Sequence, residues 1–477
     1  MQLKQFVTPV RKLVVIDNLL HLTALFGYLM IPPLVVSLLF QEFLYTCLLG
    51  GEVFFCLAPR LLRYKKVVLN LLMAEALVVT ALAYLLFSIL GALLFLPISS
   101  FIDGLFEAMS GITTTGLSVM PVESLPGTLL FFRSYSQWIG GAGIVIISLI
   151  LLMGPSLSAF RLYASEYGEV NLAGDVKSTA KTVIKIYLIL TALGFLAFLA
   201  SGMDGFNALL HIMSTVSTGG FSPYNASIGA YSSLVIRIVV LFFMLAGAIS
   251  FVSYDALQYR RWRDFFIDPQ LRALGLIIIS AMLIVFLAEE IFSADLTAIL
   301  FHVASAISTT GFGVSDFALW PATMKFTAIL LMFVGGGAGS TAGGIKIFRL
   351  FVALHLIKRL AARMLLPAEA KISFKYNRRV IKDEEILAAG GIIVLYLLFI
   401  GVTALSLTVA GIGIGDAIFE STSALATVGL SSGVTSQTLP AWTKLLLSLN
   451  MWAGRLEILP VVILLYPKIW IRKRKQI

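Results

Sequence analysis

Apolar residues along this chain run in long unbroken blocks, and polar residues collect in the gaps between them. The blocks lie near 20–40, 43–59, 69–97, 128–153, 182–201, 233–258, 272–292, 325–357, 385–411 and 441–468. A helix crossing a bilayer needs about 17–25 apolar residues, so each block predicts a spanning helix and the chain reads as an all-α integral membrane protein. Between 97 and 128, 201 and 233, 292 and 325, and 411 and 441 stands a shorter semi-apolar piece, such as Asp103 to Thr113. About ten residues are too few to cross, and the length fits a re-entrant segment.

A motif recurs behind each short piece. Ser110 to Ser118 reads SGITTTGLS, Ser214 to Ser222 STVSTGGFS, Ser305 to Gly313 SAISTTGFG, and Ser423 to Ser431 SALATVGLS. Three residues before each opening serine stands a polar, ionisable side chain: Glu107, His211, His302 and Glu420. Repetition at this spacing (Gly116, Gly220, Gly311, Gly429) is too long for a solenoid and suits a helix–loop–helix unit. The chain therefore divides into an N-terminal transmembrane hairpin, 1–66, and four repeats at 67–155, 156–260, 261–360 and 361–477. Asp103, Asp204, Asp295 and Asp416 stand at or near the start of each short helix, where a carboxylate caps free amides and complements the dipole.

Composition agrees with a membrane solvent: 59% of residues are hydrophobic and 13% charged, against roughly 45–50% and about 25% in soluble domains. Cys47 and Cys56 share one apolar segment and read as buried thiols, without a disulfide, metal or redox role. The net charge of +10 is explained by topology. Stretches 97–127, 202–234, 289–323 and 411–442 contain no Lys or Arg, whereas Arg60–Lys66, Arg161–Lys185, Arg260–Arg272, Lys358–Lys382 and Arg472–Lys475 are basic. The positive-inside rule places both termini in the cytoplasm and brings all four motif loops in from outside. Nucleic acid need not be invoked; anionic membrane lipid or an acidic protein partner can use the same charge.

Irregular backbone at membrane depth persists only where protein buries it or where it lines a watery path. Four short helices ending in Thr-x-Gly around one axis would present rings of carbonyl oxygens able to replace a monovalent cation's hydration shell. Glycine permits the backbone conformation and close approach this requires. Tight packing of small residues is the competing reading for any one loop, but does not account for four copies in one register. Glu107, His211, His302 and Glu420 are expected to brace the short helices through hydrogen bonds, with a place in the outer vestibule as the alternative.

Two further features interrupt the spans. Val334 to Gly344 reads VGGGAGSTAGG, with Gly335, Gly336, Gly337, Ala338, Gly339, Ser340, Gly343 and Gly344 in the middle of an over-long apolar block. These glycines break the helix and leave a loop that can obstruct a pore and move aside; close helix crossing is the alternative. No strand–turn–helix context supports a nucleotide loop at Gly337–Ala342. Arg455, inside the last span, is a costly intramembrane charge and a functional candidate, either meeting the glycine-rich loop in the pore or pairing with a neighbouring helix. Glu457, two residues on, faces elsewhere on a helix, and Lys346 and Arg349 are expected at the cytoplasmic mouth.

These residues resemble the TrkH/Ktr/HKT superfamily of potassium translocation subunits, most closely the bacterial TrkH type. The resemblance covers nearly the whole chain: the four repeats, the stretch 335–344, Gly454-Arg-Leu-Glu457, and Arg133-Ser-Tyr-Ser-Gln-Trp-Ile-Gly-Gly141. It implies a selectivity filter at Thr114, Thr115, Gly116; Thr218, Gly219, Gly220; Thr309, Thr310, Gly311; and Thr427, Val428, Gly429. It also implies a gating loop opposed by Arg455, a homodimer, and a cytosolic nucleotide-binding regulatory subunit of the TrkA type on the basic inner face. K+ would be the transported ion, no cofactor is bound, and the location is a prokaryotic cytoplasmic (inner) membrane. Glycine at 116, where sodium-favouring members carry serine, points to potassium. A secondary transporter coupling K+ to Na+ or H+ is the alternative mechanism, although such proteins are usually built from inverted repeats and these four run in one direction. No HExxH motif is present, and the reading is not an enzyme.

Overall fold

The computed structural model describes residues 9–61, 71–151, 176–258, 260–288, 295–365, 367, 374–376, 379–381 and 383–470. The basic stretches at 62–66, 161–175 and 472–475, and the boundaries placed at 66 and 155, lie outside these residues. The chain is helical, as the hydropathy blocks require. Among the described residues, five spans are long and apolar enough to cross a bilayer: Lys12–Leu39, Ala74–Leu93, Lys181–Ala200, Pro269–Ala288 and Glu385–Val409. Their outer faces stay apolar and uncovered, as at Ile279, Leu283 and Leu287 (66%, 55% and 68% exposed), which is what a lipid solvent permits and water does not. The first span starts at Lys12, ahead of the apolar block placed near 20–40, and it is interrupted at Met30, just before Pro32 and Pro33. Arg11 seals this end by pairing with Glu75 at 2.7 Å. Cys56 is buried as expected, but Cys47 is exposed, on the outside of its helix.

The four short helices are Phe101–Ile112, Gly205–Val216, Leu296–Ile307 and Ile414–Leu425. The aspartates divide into two pairs. Asp204 and Asp295 are true N-caps, accepting from Asn207 N and from Thr297 and Ala298 N. Asp103 and Asp416 lie within the first turn of their helices and bind lysines of another repeat, Lys444 at 2.5 Å and Lys325 at 3.4 Å; Ser100 supplies the cap in the first repeat.

The second long helix of a repeat is continuous only in repeat 1, Gly127–Leu151. In repeat 3 it stops at Val334 and resumes at Ile347, at the glycine-rich stretch. The sequence reading expected unbroken spans at 233–258 and 441–468, and both are broken. Leu234–Ala248 gives way to Phe251–Gln258 across two residues. Ala441–Arg455 meets Leu459–Leu465 at 115°, through Glu457 and Ile458 at φ 57° and 66°. Proline at 460 lacks an N–H and its ring would clash with the carbonyl four residues back, so it is tolerated in the first turn of Leu459–Leu465 but not inside one continuous helix, a signal present in the sequence. The second departure from the all-helical reading is a two-stranded antiparallel hairpin, Phe374–Tyr376 with Arg379–Ile381, within the basic stretch.

Small residues let these helices seat against the short ones. A Cβ at Gly140 would stand 1.9 Å from Ile112 O, and one at Gly454 would stand 1.7 Å from Leu425 O; both carbonyls lie in the last turn of a short helix. Gly454→Ala should therefore overpack this seat, at a cost of about 1–3 kcal/mol or more. Gly401→Ala, where a Cβ meets nothing within 4 Å, should leave stability unchanged. Thermal unfolding in detergent, followed by tryptophan fluorescence, compares the two.

Candidate functional site: four threonine–glycine loops

All four short helices end in one hydrogen-bonded design. Thr115 N donates to Ser110 O and Thr114 N to Gly111 O, both at 2.9 Å. The same pair of bonds joins Gly219 and Thr218 to Ser214 and Thr215, Thr310 and Thr309 to Ser305 and Ala306, and Val428 and Thr427 to Ser423 and Ala424. This is the Schellman termination, which usually places glycine in the left-handed region. Here that residue is threonine every time: Thr114, Thr218, Thr309 and Thr427 have φ of 53°, 53°, 55° and 51°. A β-branched residue there is a true outlier, costing about 1–3 kcal/mol unless its surroundings enforce it. The glycine two residues on is also at positive φ, between 78° and 92°.

The glycines close the loops on one another. A Cβ on Gly116 would lie 2.2 Å from Gly219 O, on Gly220 2.1 Å from Thr310 O, on Gly311 1.9 Å from Val428 O, and on Gly429 2.1 Å from Thr115 O. Each glycine thus abuts the carbonyl preceding the next repeat's glycine, and the fourth abuts the first. The four loops form a closed ring in chain order. All four glycines also line a cavity of about 570 Å³, together with Arg133, Ser118 and Ser431. The twelve residues from Thr114 to Gly429 singled out in the sequence are brought together.

The ionisable side chains brace this ring. Glu107 accepts from Ser118 Oγ at 2.6 Å, Val119 N at 2.7 Å and Arg133 Nε at 3.0 Å. Glu420 accepts from Ser431 Oγ at 2.5 Å, Ser432 N at 2.9 Å and Thr435 Oγ1 at 2.9 Å. His211 meets Ser222 Oγ at 3.2 Å and His302 meets Ser315 Oγ at 3.1 Å. Each therefore holds a serine of the chain leaving its loop. Arg133 is buried, pairs with Glu107, and stacks 3.9 Å over the Phe221 ring, joining repeat 1 to repeat 2. The opening serine of the motif, given no role in the sequence, has one in two repeats: Ser110 Oγ and Ser423 Oγ accept from Gly116 N and Gly429 N at 3.0 and 3.1 Å.

The glycine-rich stretch packs directly against the ring. Gly343 N donates to Thr309 Oγ1 at 2.6 Å, and a Cβ at Gly343 would reach Thr427 Oγ1 at 2.4 Å. Its other attachments run to repeat 2 and the helix after it: Gly337 N to Ala248 O, Phe251 N to Gly339 O, and Ala338 N to Gln270 Oε1 at 2.7 Å. The break at Ile249–Ser250 is therefore the counterpart of the glycine-rich break, since each satisfies backbone groups that the other exposes.

Arg455 completes the enclosure. It is 5% exposed and donates through Nη1 to Thr341 O at 2.7 Å and through Nη2 to Gly140 O at 2.8 Å. The arginine and the glycine-rich stretch are thus in contact. Glu457 pairs with Arg349 at 2.6 Å, not with Arg455. Arg349 and Lys346, expected at a cytoplasmic mouth, are buried at 3% and 8% exposure; Lys346 Nζ donates to Ala342 O.

The comparisons with known proteins agree with this architecture. The family model described as TrkH, cation transport protein, matches residues 51–470. A transporter of Methanocaldococcus jannaschii, described as an uncharacterized cation transporter, is 32% identical over 94% of this chain and 95% of its own length. The Trk system potassium uptake protein TrkH of Halomonas elongata is 32% identical over 94% of this chain and 97% of its own. The crystal structure of the potassium transporter TrkH from Vibrio parahaemolyticus superposes with a TM-score of 0.85 at 27% identity, covering 97% of this chain and 100% of that one. The molecule is a membrane transport protein rather than an enzyme. It belongs to the TrkH family of cation transport proteins.

Removing one partner of the buried Glu107–Arg133 pair leaves an uncompensated charge, a loss of about 3–5 kcal/mol. Glu107→Leu should therefore destabilise the protein strongly, and Glu107→Leu with Arg133→Met should recover much of the loss. A double-mutant cycle of unfolding in detergent measures this.

Proposed function

We propose that the chain takes up potassium across a prokaryotic cytoplasmic (inner) membrane, through a filter at the four Thr-x-Gly loops, gated by Gly335–Gly344 and Arg455. The observation carrying this reading is the closed ring of glycines and carbonyls, with the relatives named as potassium transporters supporting the choice of ion. Fixed carbonyl dipoles replace a hydration shell only if they are held at a set radius, and here the Schellman turns, the braced serines and the abutting glycines hold them. Each short helix also directs its negative C-terminal end at the ring. Thr114 Oγ1 and Thr427 Oγ1 are buried without a hydrogen-bond partner, an expensive state that a passing cation relieves.

The gate reading rests on the bonds from the glycine-rich stretch to Thr309 and Arg455. Six glycines in eleven residues allow the backbone to rearrange once those bonds open, and a cationic guanidinium on the path opposes a cation electrostatically. Residues 1–66 act as a hairpin beside repeats 67–155, 156–260, 261–360 and 361–477, with both termini in the cytoplasm. The functional unit is a homodimer, with a cytosolic nucleotide-binding regulatory subunit of the TrkA type on the basic inner face.

Flux of K+, Rb+, Na+ and Li+ into proteoliposomes holding the purified protein tests the transport reading. K+ and Rb+ should enter well ahead of Na+ and Li+, and Gly116→Ser, whose Cβ would meet Gly219 O at 2.2 Å, should narrow that preference. Absence of downhill cation flux, or flux indifferent to Gly116→Ser, would return the loops to a structural role and favour a coupled transporter. Arg455→Ala should raise the resting flux, as should a deletion within 336–341. The gate reading fails if both leave flux unchanged.

A further inference from the structure

The second loop departs from the others at its middle position: Gly219 stands where the other three loops have Thr115, Thr310 and Val428. Its φ is not in the left-handed region, so backbone conformation does not demand glycine. A side chain does. A Cβ at 219 would lie 2.4 Å from Gln137 Cδ, 2.5 Å from its Oε1 and 2.9 Å from its Nε2, all three nearest atoms being Gln137's. Gln137 comes from the long helix of repeat 1 and is fully buried. Its Nε2 donates to Gly219 O at 2.6 Å, and its Oε1 accepts from Phe221 N at 3.1 Å. One amide thus grips the loop on both sides of Gly220, with its orientation fixed because a carbonyl needs a donor and an N–H an acceptor.

The corresponding positions in other repeats lack this group. Gly140, Gly247 and Gly454 each lie against a carbonyl of the last turn of their own short helix: Ile112 O, Val216 O and Leu425 O. Three residues before them stand Gln137, Met244 and Met451. All three are buried, and methionine is apolar and similar in length. A hydrogen-bonding amide therefore stands in repeat 1 where repeats 2 and 4 bury methionine, and the side-chain-free position it contacts is specific to loop 2.

We propose that Gln137 is a specificity-setting positioning residue of the ion pathway: it fixes the Gly219 carbonyl in the ring, so that the four oxygens cannot close on a cation smaller than K+. The inference rests on the reading of the loops as a filter. Gly219 O is the oxygen abutting Gly116, so a shift there is passed directly to the first loop. Without the amide, Gly219 O regains freedom to move inward and Phe221 N loses its acceptor.

The test is the ratio of K+ to Na+ flux in proteoliposomes for the wild type, Gln137→Met and Gln137→Glu. Gln137→Met installs the residue that repeats 2 and 4 already bury at this place, and should lower the ratio about fivefold, the size of one neutral hydrogen bond lost. Gln137→Glu keeps the acceptor for Phe221 N and loses the donor to Gly219 O; it should lower the ratio too, and is decisive if the methionine variant does not purify as folded protein. Gly219→Ala should abolish flux alone and regain it when combined with Gln137→Ala, which clears the space. A wild-type ratio in Gln137→Met or Gln137→Glu, or equal behaviour of Gly219→Ala in both backgrounds, overturns the proposal. A wild type without K+ preference overturns the filter reading instead.

Discussion

The structure depends on stopping four helices inside a membrane. A helix end leaves four carbonyls unsatisfied, and in hydrocarbon each costs several kcal/mol. The Schellman turn at each short helix satisfies two of them internally, and it forces the next residue into a left-handed conformation. Threonine there, at φ near 51–55° in all four copies, is strained, so the surroundings must impose it. They do so by ring closure: every loop glycine is locked against a carbonyl of its neighbour, and no loop relaxes without displacing the next.

Rigidity of that ring is distributed among side chains of unlike chemistry. Glu107 and Glu420 each accept from a serine and a backbone N–H, whereas His211 and His302 meet a serine hydroxyl through Nε2. The repeats thus keep a common backbone while varying the brace, and the variation is correlated. The repeats with glutamate have their aspartate inside the helix and bound to a lysine; those with histidine use aspartate as the cap. In repeat 3 the braced serine moves from the second to the fourth position after the glycine, because Gly313 occupies the nearer one.

Beneath the ring the same accounting governs the broken helices. The interruptions in repeats 2 and 3 pair with each other through Gly337–Ala248 and Phe251–Gly339 bonds, and Arg455 takes carbonyls from the glycine-rich stretch and from repeat 1. A buried guanidinium is tolerated because three carbonyl oxygens within 3.4 Å receive it. The stretch is buried and is held on several sides, Thr341 Oγ1 donating to Val216 O and Gly247 O and Gly343 N to Thr309 Oγ1.

The sequence by itself determined the helical class, the fourfold repetition, the short helices and the break at Gly335–Gly344, because each follows from a local cause: run length, motif register or glycine density. It also marked Arg455, since an arginine in an apolar block needs a partner wherever it lies. Tertiary structure alone decided what those partners are. Nothing local says that Arg455 meets Thr341 and Gly140, that Glu457 turns to Arg349, or that Lys346 and Arg349 are buried and not at an open mouth. The break at Ile249–Ser250 was equally hidden, because its backbone groups are satisfied by another repeat, whereas Pro460 marked the one at Glu457–Ile458. Gly219 is the sharpest case: in the sequence it is one more residue at the variable position of Thr-x-Gly, and only packing shows that Gln137 of a different repeat fills the space its side chain would need. Periodicity reports what a residue does along its own helix, and contacts between repeats are set by the closure of all four.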